Sequence, residues 1–257
     1  VDYAGQPAEL EAFLALADRH GVVVIEDACP ALGAVYRGRR VGSISHMTVF
    51  SFHPVKHITT GEGGMVTTNN SAFARRLRMF RNHGIESDPN VREAGDRWDY
   101  AMEELGFNYR LSDIGCALGR SQLGRLRAIL ERRHAIARSY TQRLEGLAGI
   151  LLPSVRPEVT SAWHLYPLRL DPVRCGAGRD EVFRALRAEG LGVNVHYIPV
   201  HRHPYYRRRF GDQDGRFPVA ESASDRLISL PIFHGMSEQD VDDVVQAVTK
   251  VAGAYGG

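Results

Sequence analysis

The 257-residue chain is long enough for one large or two medium domains, and its 44% hydrophobic and 24% charged content is that of a soluble globular protein. A net charge of +2 excludes a broad field for nucleic acid or an anionic membrane, and no apolar run approaches the roughly 20 residues that span a bilayer. Three cysteines, Cys29, Cys116 and Cys175, are odd in number and far apart, which excludes a disulfide framework or a CxxC metal site and fits a reducing cytoplasm.

The chain has no initiator Met and enters a helix lead-in directly at "VDYAGQPAEL", so an N-terminally incomplete chain is expected. "AELEAFLALADRHG" has Leu10, Phe13, Leu14 and Ala17 at helical spacing and stops at Gly21. "VVVIED" reads as a buried parallel strand ending near Asp27, and "MTVFSF" (47–52) and "GMVTT" (64–68) as two more strands. "SAFARRLRMFRNHG" (71–84) predicts an amphipathic helix ended by glycine. This alternation indicates α/β architecture. Residues 85–110 are polar and irregular, the composition of a functional loop. Ser112 then caps one long helical stretch, "DIGCALGRSQLGRLRAILERRHAIARSYTQRLEGL", of the kind that joins two domains. Beyond it, "WHLYPLRL" (163–170) and "LGVNVHY" (191–197) predict strands, and 179–190 and 237–254 predict helices, the last capped by Ser237. The expected domains are 1–130, the C-terminal portion of a large α/β domain, and 131–257, a smaller α+β domain.

The chemistry-bearing residues lie in the first part. Of 32 basic residues only Lys56 and Lys250 are lysine. Arginine stays protonated in proteins, whereas a desolvated lysine becomes an amine nucleophile. An ordinary surface lysine is the alternative. Asp27 sits at the carboxyl end of a strand, where ligands bind in open α/β sheets, though a turn carboxylate is equally compatible with this evidence alone. Ser51 precedes Lys56 and "TTGEGG" follows it, hydroxyls and glycines that either close around a phosphate or make a tight turn into the next strand. The glycines come after the lysine, so the run is not a Walker loop. Pyridoxal phosphate (PLP) chemistry needs this set: an amine for the aldehyde, a carboxylate for the pyridine nitrogen, and donors for the phosphate.

"VVVIEDACPALGAVYRGRRVGS", "TVFSFHPVKHITTGEGGMVTTNN", "RNHGI" and "GFNYRLSDIGCALGRSQL" closely resemble the nucleotide-sugar aminotransferases of the DegT/StrS type, nearest to the subgroup of pseudaminic acid synthesis. The match is dense over the first 125 residues and looser afterwards, through "WHLYPLRL", "GVNVHYIPVH" and "ISLPIF". The resemblance implies a fold-type-I PLP-dependent transferase, here with an N-terminally incomplete large domain, that works in the cytoplasm as a homodimer. It implies Lys56 as the Schiff-base lysine, Asp27 as partner of the pyridinium nitrogen, and Ser51 as a phosphate ligand. Asn108, in "GFNYRL", would reach the cofactor phosphate of the neighbouring subunit, and His164, His196 and Tyr197 would line the sugar side of the cleft. Glutamate would be the amino donor and a UDP-linked 4-keto-6-deoxy sugar the acceptor. Pro30 stands where the family usually has His or Gln beside the ring hydroxyl, so that contact is lost. A non-catalytic dimerisation module is the alternative. A related sugar 3-dehydratase is disfavoured, because that branch replaces the lysine.

The remaining candidates have plainer readings. His196, His201 and His203 lack the helical spacing and the carboxylate of a zinc site, none following before Asp212, and no metal is expected. "YYRRRFGD" (205–212) reads as a solvated loop and "ERRHAIAR" (131–138) as the exposed face of a linking helix. Trp98 and Trp163 read as packing residues, and Cys29 as a small buried thiol.

Overall fold

The computed structural model describes residues 1–86, 95, 99–171 and 173–256. Trp98 and residues 87–94, 96 and 97 of the irregular 85–110 segment lie outside the described residues. The chain divides into two compact units, Val1–Arg127 with Glu158–Ser161, and Ala128–Pro157 with Ala162–Gly257.

In the first unit, helix α1 (Leu10–His20) ends at Gly21, whose left-handed φ of 61° lets its N–H reach the carbonyls of Ala17 and Asp18. Strands β1 (Ile25–Asp27), β4 (Met47–Ser51) and β5 (Gly64–Thr67) form one sheet in the order β1-β4-β5. β1 and β4 run parallel with Asp27 opposite Val49, and β4 and β5 run antiparallel with Ser51 opposite Gly64. These are the three expected strands, shortened. Val22, Val23 and Ile25 are exposed, however, while Glu26 is buried. β1 is an edge strand whose inward face carries Glu26 rather than the valines and isoleucine. A second small sheet, β3-β2-β7, joins Val35–Tyr36 (β2), Arg39–Arg40 (β3) and Val159–Thr160 (β7).

Helix α2 (Ser71–Phe80) is capped by Asn70, which accepts from the N–H groups of Ala72 and Phe73, and it stops short of Gly84. The long helical stretch is two helices, α3 (Asp113–Leu123) and α4 (Leu126–Leu144). Ser112 caps α3, and the weak helix propensity of Gly124 accounts for the break.

The second unit holds the larger core. The expected strand at 163–170 forms as β8 (Tyr166–Leu170), central in an antiparallel sheet with β6 (Ile150–Leu151) and β9 (Leu227–Leu230). Helices α4, α5 (Arg179–Ala188) and α8 (Glu238–Tyr255) contribute Tyr140, Leu144, Leu186, Val241 and Val248 to a cluster with Tyr166, Leu168 and Ile228. Each such aliphatic side chain contributes about 2 kcal/mol on burial. Ser237 and Asp240 form a full capping box at the start of α8.

Two expectations fail here. Residues 191–197 do not form a strand; a single bridge from Asn194 to Ser229 is the only sheet pairing there among the described residues. "YYRRRFGD" is not a loop but mostly helix α6 (Pro204–Phe210), started by Pro204 at its first position, and α7 (Pro218–Ser224) follows it.

Candidate functional site

Side chains alternate along a strand, so Asp27 on β1 and Val49 and Ser51 on β4 project from one face of the sheet, opposite buried Glu26, Thr48 and Phe50. Asp27 and Ser51 therefore share both a face and the carboxyl end of two parallel strands, the usual ligand position in such sheets. β4 leads into a tight turn in which Lys56 N–H bonds to His53 O at 3.0 Å. The Asp27 carboxylate accepts from Cys29 N–H at 3.0 Å.

Cys29 links the set. Burial and then the adjoining Asp27 carboxylate push its thiol up to about 11, while the charge of Lys56 pulls it down. The thiol thus feels both the strand-end carboxylate, which accepts from its own backbone N–H, and the charge of the rare lysine. Cys29 itself stays a protonated thiol at neutral pH and is no nucleophile. Sequence spacing gives no signal for this placement.

The groups available there suit PLP. Lys56 Nζ makes no hydrogen bond or ion pair with a described residue. Ser51 Oγ accepts from His53 N–H at 3.2 Å, leaving its own proton free to donate. The hydroxyls of "TTGEGG" are different: Thr59 Oγ1 donates to Phe52 O at 2.9 Å and Thr60 Oγ1 to Glu62 O at 2.7 Å, so both serve the loop. Gly64 starts β5, and a Cβ there would lie 2.6 Å from Phe50 O. The turn reading accounts for these glycines, and Ser51 remains the hydroxyl available for a phosphate.

Asn108 is exposed in the first unit, bridged antiparallel to Asn82, and its side chain bonds to no described residue. His164, His196 and Tyr197 belong to the second unit. His164 is buried, with its carbonyl accepting from Arg133 Nη1 at 3.2 Å. His196 Nδ1 lies 2.9 Å from Ser229 Oγ, and Tyr197 is exposed.

Arg133 corrects the reading of "ERRHAIAR" as an exposed face. It is 3% exposed, and its Nη1 donates to the carbonyls of Trp163, His164 and Ile232 at 2.9, 3.2 and 3.0 Å. Burial lowers it to about 10, so it remains a cation at neutral pH. The signal was present in the sequence: Ile129, Arg133, Ile136 and Tyr140 lie on one helical face. His201 meets neither His196 nor His203 as a ligand partner but Asp214 and Glu221, and their ligand atoms fall within 4.8 Å of one another. Both Glu221 oxygens already accept from Gly215 N–H, and Asp214 is held by Arg202 and Arg207. This cluster is an ion-pair network around α6 and α7. No helix among the described residues is long and apolar enough to cross a membrane.

Similarity to known proteins extends over nearly the whole chain. The spore coat polysaccharide biosynthesis protein SpsC of Bacillus subtilis is 39% identical over 98% of this chain and 65% of its own length. DesV of S. venezuelae, solved in complex with a ketimine intermediate, superposes with a TM-score of 0.86 at 38% identity, covering 98% of this chain and 63% of its own. Helicobacter pylori PseC, an aminotransferase of pseudoaminic acid biosynthesis, gives 0.89 at 28% identity, covering 99% and 66%. The chain thus spans slightly under two thirds of the length of these relatives. Residues 1–249 match the DegT/DnrJ/EryC1/StrS aminotransferase family, and the chain belongs to that family.

Proposed function

We propose that the protein is a PLP-dependent aminotransferase that moves an amino group from glutamate to a keto sugar. The observation that carries this reading is that Asp27 and Ser51 share one face at the carboxyl end of two parallel strands, with Lys56 in the turn that follows β4. Lys56 would hold the cofactor's aldehyde covalently, Asp27 its pyridine nitrogen in the protonated state, and Ser51 its phosphate. When bound, PLP supplies an electron-accepting ring that stabilises the carbanion left by C–H cleavage. The Lys56 amine, when not covalently engaged, would serve as the base that takes the Cα proton and returns it in a 1,3-shift. Pro30 offers no side-chain donor beside these groups.

The acceptor we favour is a UDP-linked 4-keto-6-deoxy-N-acetylhexosamine, aminated at C4, as in UDP-4-amino-4,6-dideoxy-N-acetyl-beta-L-altrosamine transaminases of pseudaminic acid synthesis. The likeness to PseC supports this choice. His164, His196 and Tyr197 are the sugar-side residues under this reading. A homodimer is part of it, with Asn108 reaching the partner's cofactor. Exposed Tyr100, Met102, Leu105, Tyr109 and Ile114 lie in the same stretch of sequence as Asn108 and support a covered surface there.

The test uses the full-length protein with PLP, glutamate and a panel of UDP-4-keto sugars. Lys56→Ala and Lys56→Arg are expected to lose the yellow absorbance and at least about 10³-fold in turnover. Retained turnover in Lys56→Ala would falsify the proposal.

A further inference from the structure

Glu26 is the charged residue that β1 turns inward. It is 4% exposed, and Asp2, at 0%, is fully buried beside it. Two carboxyl groups in one apolar pocket cannot both ionise cheaply. Their outer contacts are settled. Asp2 Oδ1 accepts from Ala8 N–H at 3.0 Å, and Glu26 Oε2 accepts from Thr48 Oγ1 at 2.9 Å, across the register that sets Glu26 opposite Thr48. The other two oxygens, Asp2 Oδ2 and Glu26 Oε1, are buried without a donor among the described residues. Asp2 N–H donates to the carbonyl of Asp27, the residue next to Glu26, which sets the two carboxyl groups at the same strand, and the Glu26 carboxyl acts on that of Asp2. One proton between these oxygens satisfies both at once.

We propose that Asp2 and Glu26 share a single proton at neutral pH, which makes the inward face of the first sheet a buried proton-binding site. No Lys, Arg or His among the described residues forms an ion pair with either group. Burial is the largest influence on Asp2 and lifts its carboxyl from 3.8 to about 7; Glu26 adds to the rise, while Ala8 N–H opposes it. Asp2 N–H also donates to Asp27 O at 2.9 Å, so the shared proton pins the first eight residues to the backbone of the strand that carries Asp27. The site lies on the opposite face from Asp27, and its test needs no cofactor.

Between pH 3.8 and about 7 the folded chain holds a proton that the unfolded chain has released. The contribution of this pair to stability therefore falls as pH rises across that window and is flat above it. In Asp2→Asn the amide oxygen accepts from Ala8 N–H and the amide nitrogen donates to Glu26 without titrating. The 257-residue chain and Asp2→Asn are compared by thermal midpoint against pH, and by infrared spectroscopy in D₂O at about pH 6, where ordinary carboxyl groups are ionised. The expected results are a protonated-carboxyl band in the parent that fades as pH rises past about 7 and is missing in the variant, and a variant that melts higher than the parent above that pH. Absence of the band in the parent, or equal pH slopes, overturns the proposal. So does a rise in the parent's midpoint at neutral pH on adding Na⁺, K⁺, Mg²⁺ or Ca²⁺ that is absent in Asp2→Asn, which assigns the two oxygens to a metal cation instead. Should Asp2→Asn fail to fold, the band in the parent and its loss on alkalinisation decide alone.

Discussion

At the scale of single residues, Cys29 is the side chain through which the candidate lysine and carboxylate can be probed. Lys56 stands alone among arginines in the first unit, and Asp27 closes a β-branched run. Cys29 carried no such mark: Asp27 lies two positions before it, but Lys56, whose charge also acts on it, comes from a turn 27 positions away. The thiol gives a direct prediction. With its ionisation pushed up to about 11, Cys29 reacts with iodoacetamide more slowly at neutral pH than exposed Cys116, and its rate keeps rising through the alkaline range. Asp27→Asn removes the carboxylate that disfavours the thiolate and speeds Cys29 while leaving Cys116 unchanged, as peptide-resolved mass spectrometry checks. An unaltered Cys29 rate in that variant removes the proximity on which the site is built. Arg133 supports a second prediction. Replacing it by Ala leaves three buried carbonyls without their donor, a loss of about 3 kcal/mol in urea unfolding, whereas exposed Arg138, on the same helix, costs under about 0.5.

At the scale of elements, periodicity found what has a wet side and a dry side. α8 was legible to its cap, because Ser237 and Asp240 announce it and valines at helical spacing follow. β4 and β5 were legible as a pair of short apolar runs around a glycine turn. The failures share a cause: the deciding contacts are distant in sequence. "LGVNVHY" alternates like a strand, yet among the described residues its one sheet bridge is from Asn194 to Ser229. Helix α6 has no buried residue and so no apolar stripe for a pattern search to find. The inward turn of Glu26 depends on Asp2 and Thr48, the first of which is 24 positions away. Two substitutions probe elements that were legible. Ser237→Ala breaks the capping box and lowers stability by about 1 kcal/mol. Gly64→Ala sets a methyl group 2.6 Å from Phe50 O and forces β4 and β5 apart, a cost of about 1–3 kcal/mol in the same assay.

At the scale of the whole molecule, the two units differ in how much of their apolar surface they bury within themselves. The large buried cluster is drawn entirely from the second unit, from Ile136 to Val251. The first unit has a three-stranded sheet whose edge strands leave Ile25, Met65 and Val66 exposed, and its α3 exposes Ile114, Leu118 and Leu123. A short strand paired on one side protects few amides, since opening it uncovers little that was dry. Amide hydrogen exchange of the 257-residue chain is therefore expected to be slowest in β8, β9 and α8 and faster by orders of magnitude in β1 and β5. If the first unit is covered in solution, by a second copy of the chain as the homodimer reading holds, protection in α3 rises with protein concentration while that of β8 does not change. Equal protection of β1 and β8 at low concentration contradicts the division of stability argued here. Concentration-independent exchange in α3 leaves its apolar residues exposed in solution and removes the support they lend to a dimer.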